Sequence, residues 1–99
     1  MPEINPNSLT VIILTFNEEL HLARCIGSVA PVAKRVIIVD SFSTDRTLEI
    51  ARGLGAEIVQ HPFVNQAQQF QWALDHIPIH TEWVMRMDAD EYLTDALVE

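Results

Sequence analysis

Positive charge is scarce in this chain. Lysine and arginine number 6 against 14 aspartates and glutamates, for a net charge of −8 over 99 residues. Such a surface repels phosphate backbones and anionic lipid at long range, so no nucleic-acid partner is expected. A single cysteine, Cys25, excludes an internal disulfide and fits a reducing compartment. With no partnering motif it reads as a small core residue. No apolar run reaches the ~18 residues of a membrane span, and the opening MPEINPNS has neither the basic nor the apolar region of a signal peptide. The expected location is cytoplasmic. Glycine, too, is sparse, with three in all. After the first apolar run, where a dinucleotide fold carries G-x-G-x-x-G and a P-loop ends in lysine, the chain reads TFNEEL. Any phosphates bound here must be neutralised by something other than a glycine-rich backbone cradle.

What is present suits one domain over residues 1–99, with 48% hydrophobic content and a modest core. Apolar runs lie at 9–14 (LTVIIL), 35–40 (RVIIVD), 57–60 (EIVQ) and 82–88 (EWVMRMD). The first two are rich in Val and Ile without polar alternation, as in strands covered on both faces. Segments of helical period separate them: Leu22, Cys25, Ile26 and Val29 share one face, as do Leu48, Ala51 and Leu54, and Ala67, Phe70, Leu74 and Ile77. Ser43 or Thr44 is expected to cap the second helix with Asp45 in its first turn, Gly53 and Gly55 to end it, and Pro62 and Pro78 to bracket the third. The order β-α-β-α-β-α-β predicts an α/β fold, Rossmann-like, with a mainly parallel sheet of about four strands and right-handed crossovers.

Ligands of such a sheet bind beyond the carboxyl ends of its strands. Those ends carry Thr15, Phe16, Asn17, Glu18 and Glu19, then Asp40 and Ser41, then His61, Pro62 and Phe63, and finally Asp88, Ala89, Asp90 and Glu91. Acids crowded at one edge raise one another's pKa unless a cation or proton offsets them. A divalent metal on Asp88 and Asp90 would do so, since hard cations take carboxylate oxygens and share the rest of their shell with phosphates and water.

Together the blocks VIILTFNEE, VIIVDSFSTDRTLEIA and WVMRMDADEYL resemble family 2 glycosyltransferases of the GT-A fold, nearest the bacterial lipopolysaccharide-core and β-glucosyltransferase-like subgroup. The match runs over about residues 9 to 93, the nucleotide-binding half. The resemblance implies transfer of a sugar from a nucleotide-diphosphate donor, a UDP-sugar, to a glycan or lipid-linked acceptor in cell-surface polysaccharide or lipopolysaccharide synthesis. It implies that Thr15, Phe16, Asn17 and Glu18 line the nucleotide pocket and that Asp40 bonds the uracil or ribose. Asp88 would sit near the ribose, and Asp90, with Asp88, would ligate Mn²⁺ or Mg²⁺ on the diphosphate. The longer protein would be cytoplasmic and peripheral at the inner face of the membrane.

Two departures stand out. Ser41 and Phe42 replace an acid and a glycine of the family's V-D-D-G-S-T-D, and Phe70-Gln71 stands where a basic residue and asparagine are common. No residue is assigned as catalytic base, which is expected beyond Glu99 together with the acceptor half. The fragment alone is expected to transfer no sugar and to self-associate through uncovered sheet edges.

Simpler readings compete. Asp40 could cap the following helix, the acidic turn could be a solvated loop, and Arg86 could form an ion pair. His61, His76 and His80 read as surface or satisfied residues, while Trp72, Trp83, Met85 and Met87 read as core. A haloacid-dehalogenase-type phosphatase also uses D-x-D, but at the end of its first strand. A non-catalytic nucleotide-sugar-binding module or an inert fragment is the more serious alternative.

Overall fold

The structure, a computed structural model, describes residues 8–91, so Tyr92 and Leu93 of the third block lie outside the described residues. Strands β1 (Leu9–Thr15), β2 (Arg35–Asp40), β3 (Glu57–Gln60) and β4 (Trp83–Asp88) alternate with helices α1 (Leu22–Val29), α2 (Thr47–Gly53) and α3 (Gln66–His76). A short 3-10 turn at Ala30–Val32 follows α1. All pairings are parallel, and the sheet order is β3-β2-β1-β4. The α/β architecture read from the alternation is therefore the one observed.

β1 is central, and all seven of its residues are buried. Alternation sends Leu9, Val11 and Ile13 to one face, where they pack with Leu22, Cys25, Ile26 and Val29 of α1 and Ala51 of α2. Ile12 and Leu14 pack on the other face with Ile37, Val39 and Ala73, beneath Phe70 and Trp72 of α3. Two helices thus cover one side of the sheet and one covers the other. The first two crossovers step outward from β1 to β3, whereas the third returns past β2 and β1 to set β4 on β1's free side. The order reverses between β1 and β4, and in open parallel sheets ligands bind in the crevice at that reversal.

Periodicity placed the α1 face correctly and the other two in part, since Ala51 is buried and Phe70 and Ile77 pack against the core. On α2 the buried residues are Thr47 and Ala51, with Ile50 against the core, while Leu54 is 49% exposed. Thr47 turns inward because its hydroxyl accepts a bond from the Glu18 N–H, a demand that apolar spacing does not register. On α3 the buried residues are Gln69 and Ala73, while Ala67 is exposed and Leu74 38% exposed. A glutamine occupies the inward face there. Neither Ser43 nor Thr44 caps α2; Asp45, which precedes the helix, accepts from the Thr47 N–H instead. Asn65 caps α3, its side chain accepting from the Gln68 N–H at 2.8 Å. Gly55 ends the α2 turn with φ +79, a left-handed conformation that glycine adopts without a Cβ clash.

Met85 and Met87 pack on the α1 side, but Trp83 is 46% exposed and Arg86 makes no ion pair among the described residues. Trp72 is half-buried and stacks on His61 and His76, with ring centroids 4.2 and 4.8 Å apart. Each imidazole has a partner through Nδ1, on Gln69 Oε1 and the Trp72 carbonyl respectively. No helix among the described residues is long and apolar enough to cross a membrane.

Candidate functional site

At the reversal between β1 and β4 lies a cavity of about 240 Å³. β1 and its following turn contribute Leu14, Thr15, Phe16 and Glu18; Ser41 follows β2; Phe63 precedes α3 and Gln66 opens it; Asp88 and Asp90 come from β4 and its turn. Parallel register explains the convergence, since Thr15 is level with Asp40 on one side and Leu14 with Asp88 on the other. The wall carries three carboxylates and, among the described residues lining it, no basic side chain.

The β1–α1 turn is locked to the β2–α2 loop by two matching relays. Asn17 N–H donates to Ser43 Oγ at 2.8 Å, and that hydroxyl donates to Asp40 Oδ1 at 2.5 Å. Glu18 N–H donates to Thr47 Oγ1 at 2.8 Å, and that hydroxyl donates to Asp45. Glu19 N–H adds a bond to Asp45 Oδ2, while Thr44 N–H bonds Asn17 Oδ1 at 2.8 Å. Asn17 adopts φ 52, a left-handed conformation that asparagine tolerates better than most residues. Its side chain is spent on the neighbouring loop, while Phe16 and Glu18 on either side line the cavity.

Asp40, expected to meet a base or ribose, is fully buried. Its carboxylate accepts from Thr15 Oγ1 at 2.7 Å, from both the N–H and the hydroxyl of Ser43, and from Gln60 Nε2 at 3.3 Å. Four donors occupy the lone-pair capacity of its two oxygens. In this structure Asp40 is therefore the hub of the loop frame beneath the cavity rather than part of its wall. Nor is it a helix cap, because α2 begins seven residues later, at Thr47.

The acidic turn is also built rather than merely solvated. Glu91 Oε1 accepts from the Asp88 N–H at 2.7 Å and its own N–H donates to the Asp88 carbonyl at 2.9 Å, closing the turn on itself. Arg24 Nη2 reaches the Asp90 carbonyl at 3.4 Å, and Gln66 Nε2 the Asp88 Oδ2 at 3.1 Å.

Electrostatics follow from this geometry. Glu18 is held above the usual carboxylate range, first by burial and then by the negative charge of Asp90, with Asp45 and Asp88 adding and His21 opposing. Burial, reinforced by Glu91 and Asp90, pushes the Cys25 thiol up to about 11, so it stays protonated and non-nucleophilic at neutral pH. For Asp45, burial acts upward but is outweighed by bonds from Thr47 and the Glu19 N–H, which leave it lowered.

Of the seven residues singled out in the sequence, Thr15, Phe16, Glu18, Asp88 and Asp90 line one cavity, whereas Asn17 and Asp40 do not. Ser41 and Phe63 were placed at the strand ends by the sequence and lie on the wall. Gln66 and Leu14 were not anticipated; the glutamine cluster at 66, 68, 69 and 71 was the available signal for the former.

Three comparisons bear on this arrangement. The family model described as Glycosyl transferase family 2 matches residues 10–99. An uncharacterized glycosyltransferase of Rickettsia bellii is 37% identical over 97 residues, 98% of this chain and 32% of the relative. The lipopolysaccharide core biosynthesis glycosyltransferase LpsC of Rhizobium meliloti is 35% identical over 96 residues, 92% of this chain and 34% of the relative. The chain thus spans about a third of each of these two relatives. Among solved structures, glucosyl-3-phosphoglycerate synthase of Mycobacterium tuberculosis in complex with Mn²⁺, UDP and glucosyl-3-phosphoglycerate superposes with TM-score 0.71. It is 22% identical, over 87% of this chain and 36% of that one, a likeness of fold.

Proposed function

The chain belongs to glycosyl transferase family 2, and we propose that it forms the donor-binding part of an enzyme that transfers a sugar from a UDP-sugar to a glycan or lipid-linked acceptor. The observation that carries the reading is a cavity at the sheet's reversal point walled by three carboxylates and, among the described residues, by no basic side chain. A nucleoside diphosphate is itself anionic, so a cation is expected to favour its entry into such a cavity. Mn²⁺ or Mg²⁺ suits the donor set, because such ions are held by one or two carboxylates plus substrate phosphates rather than by an all-protein cage. Among the described residues no three His, Cys, Asp or Glu side chains converge into such a cage. Asp90 and Asp88 would hold the ion, which when bound neutralises charge developing on the departing diphosphate.

The chain's own groups do the rest in this reading. Phe16 and Phe63, each more than half exposed on the cavity wall, offer aromatic surface to a base. Ser41 supplies a hydroxyl, its Oγ already accepting from Gln69 Nε2, and Asp88 an acceptor for a ribose hydroxyl. Asp40 keeps the frame on which these stand, and reaches a base only by exchanging one of its present donors. A role in lipopolysaccharide synthesis is supported by the likeness to LpsC. The base that deprotonates the acceptor is assigned to the part of the relatives that this chain does not span.

Isothermal calorimetry of the chain with UDP tests the reading. Binding is expected with Mn²⁺ and at least tenfold weaker with chelator, a difference of about 1.4 kcal/mol. Equal affinity in the two conditions would remove the metal from the site, and no binding in either would overturn the donor-site reading.

A further inference from the structure

Gln66 opens α3, and its side-chain amide crosses the cavity to the end of β4, where Nε2 donates to Asp88 Oδ2 at 3.1 Å. Two anchors fix where it stands. Asn65 caps the helix immediately before it. One turn later, the buried Gln69 donates from Nε2 to Ser41 Oγ and to the His61 carbonyl, both at 3.1 Å. Because that nitrogen is the donor, Gln69 Oε1 is the acceptor for His61 Nδ1 at 2.9 Å, and the imidazole carries its proton there. The first turn of α3 is thereby pinned over the strand ends with Gln66 directed at β4.

The main chain of Asp88 needs no help from Gln66, since the reciprocal bonds with Glu91 hold both its N–H and its carbonyl. What Gln66 fixes is the direction of the carboxylate. Oδ2 is engaged, while among the described residues no hydrogen bond is made to Oδ1, which can face a ligand hydroxyl or a cation. An amide does this without charge. A lysine or arginine at the same place would form an ion pair with Asp88 and repel a divalent cation from the turn.

We propose that Gln66 is a positioning residue for the donor site, a neutral clamp that orients the Asp88 carboxylate and keeps it available to a hydroxyl or divalent cation. The proposal rests on the donor-site reading of the cavity.

The test uses Gln66→Met, which keeps length and volume but removes the donor, and Gln66→Lys, which adds charge, in the 99-residue chain. UDP affinity is measured by calorimetry with saturating Mn²⁺ and with chelator, alongside melting of the unliganded proteins. Loss of one hydrogen bond to a charged group predicts about tenfold weaker UDP binding for Gln66→Met with Mn²⁺. Melting is unchanged and chelator affinity little altered. Gln66→Lys is expected to bind UDP more tightly than wild type in chelator and to lose most of the Mn²⁺-dependent gain. In an Asp88→Ala background the Gln66→Met effect disappears. Wild-type affinity retained by Gln66→Met, or an equal loss with and without metal accompanied by lower melting, would overturn the proposal while leaving the donor site intact. Failure of the wild type itself to bind UDP would overturn both.

Discussion

Thr15 and Asp40 are register partners on adjacent parallel strands, and the Thr15 hydroxyl donates to Asp40 Oδ1 at 2.7 Å with both side chains buried. The same carboxylate holds Ser43, whose hydroxyl holds the Asn17 N–H, so one buried acid fastens two loops. Asp40→Ala strands several of these donors, and an unsatisfied buried polar group costs on the order of 1–3 kcal/mol. Urea unfolding is expected to show a loss of that size, larger than for Asp88→Ala on the half-exposed rim. An Asp40→Ala protein of wild-type stability would mean that the relay does not hold the loops.

Phe42 sits in the same loop with φ 59 and is 52% exposed. Left-handed backbone costs a residue with a Cβ roughly 1–2 kcal/mol, which glycine avoids. Phe42→Gly also enlarges the unfolded ensemble, at a cost of about 0.4–1 kcal/mol. The expected balance is a modest rise in stability, read as a higher urea midpoint at unchanged slope. A clear drop would show that the exposed phenyl ring packs more productively than its exposure indicates.

The fold was legible in the sequence because its signals are strong and local. Val and Ile runs without polar alternation gave β1 and β2, and the β-α alternation gave the parallel order. The third crossover's return past β1 has no such signature, yet it creates the crevice. Helix faces were legible only where burial is apolar, as on α1. Thr47 and Gln69 face inward for hydrogen bonds that join segments 29 and 28 residues apart, to Glu18 and Ser41. The strand-end rule located the site's edge, but it could not separate wall from frame. Asn17 and Phe16 are neighbours in one turn, yet Phe16 lines the cavity while the Asn17 side chain, with φ 52, bonds the neighbouring loop.

Glu18 yields a pH prediction for the metal-free protein. Its folded-state pKa is raised above the ordinary glutamate value of 4.5, by burial first and Asp90 second. The folded state therefore binds more protons than the unfolded one in the window just above 4.5, and this group's contribution to stability falls as pH rises through it. Glu18→Gln removes the titration while keeping the backbone bond to Thr47. Melting of the variant is expected to match wild type below the window and to exceed it at neutral pH. A variant that melts lower than wild type at neutral pH would show that the Glu18 charge is stabilising.

Asp90 separates repulsion from metal binding by sign. With Glu18 and Asp88 it makes the cavity wall acidic, and its charge is the leading electrostatic cause of the raised Glu18 pKa. Without metal, each carboxylate opposes an incoming diphosphate. Asp90→Asn is therefore expected to bind UDP more tightly than wild type in chelator, by a few-fold, since a pair of exposed charges at about 4 Å is worth ~1 kcal/mol in water. With Mn²⁺ present the order reverses. The variant has lost a ligand to the ion and is expected to bind at least tenfold more weakly than wild type, about 1.4 kcal/mol. Calorimetry in the two buffers reads both arms. The crossing of the two affinities is the diagnostic result, because a misfolded variant weakens in both buffers and an Asp90 remote from the ion changes neither arm by more than the charge effect. A variant weaker than wild type by the same factor with and without Mn²⁺ would remove Asp90 from the metal site.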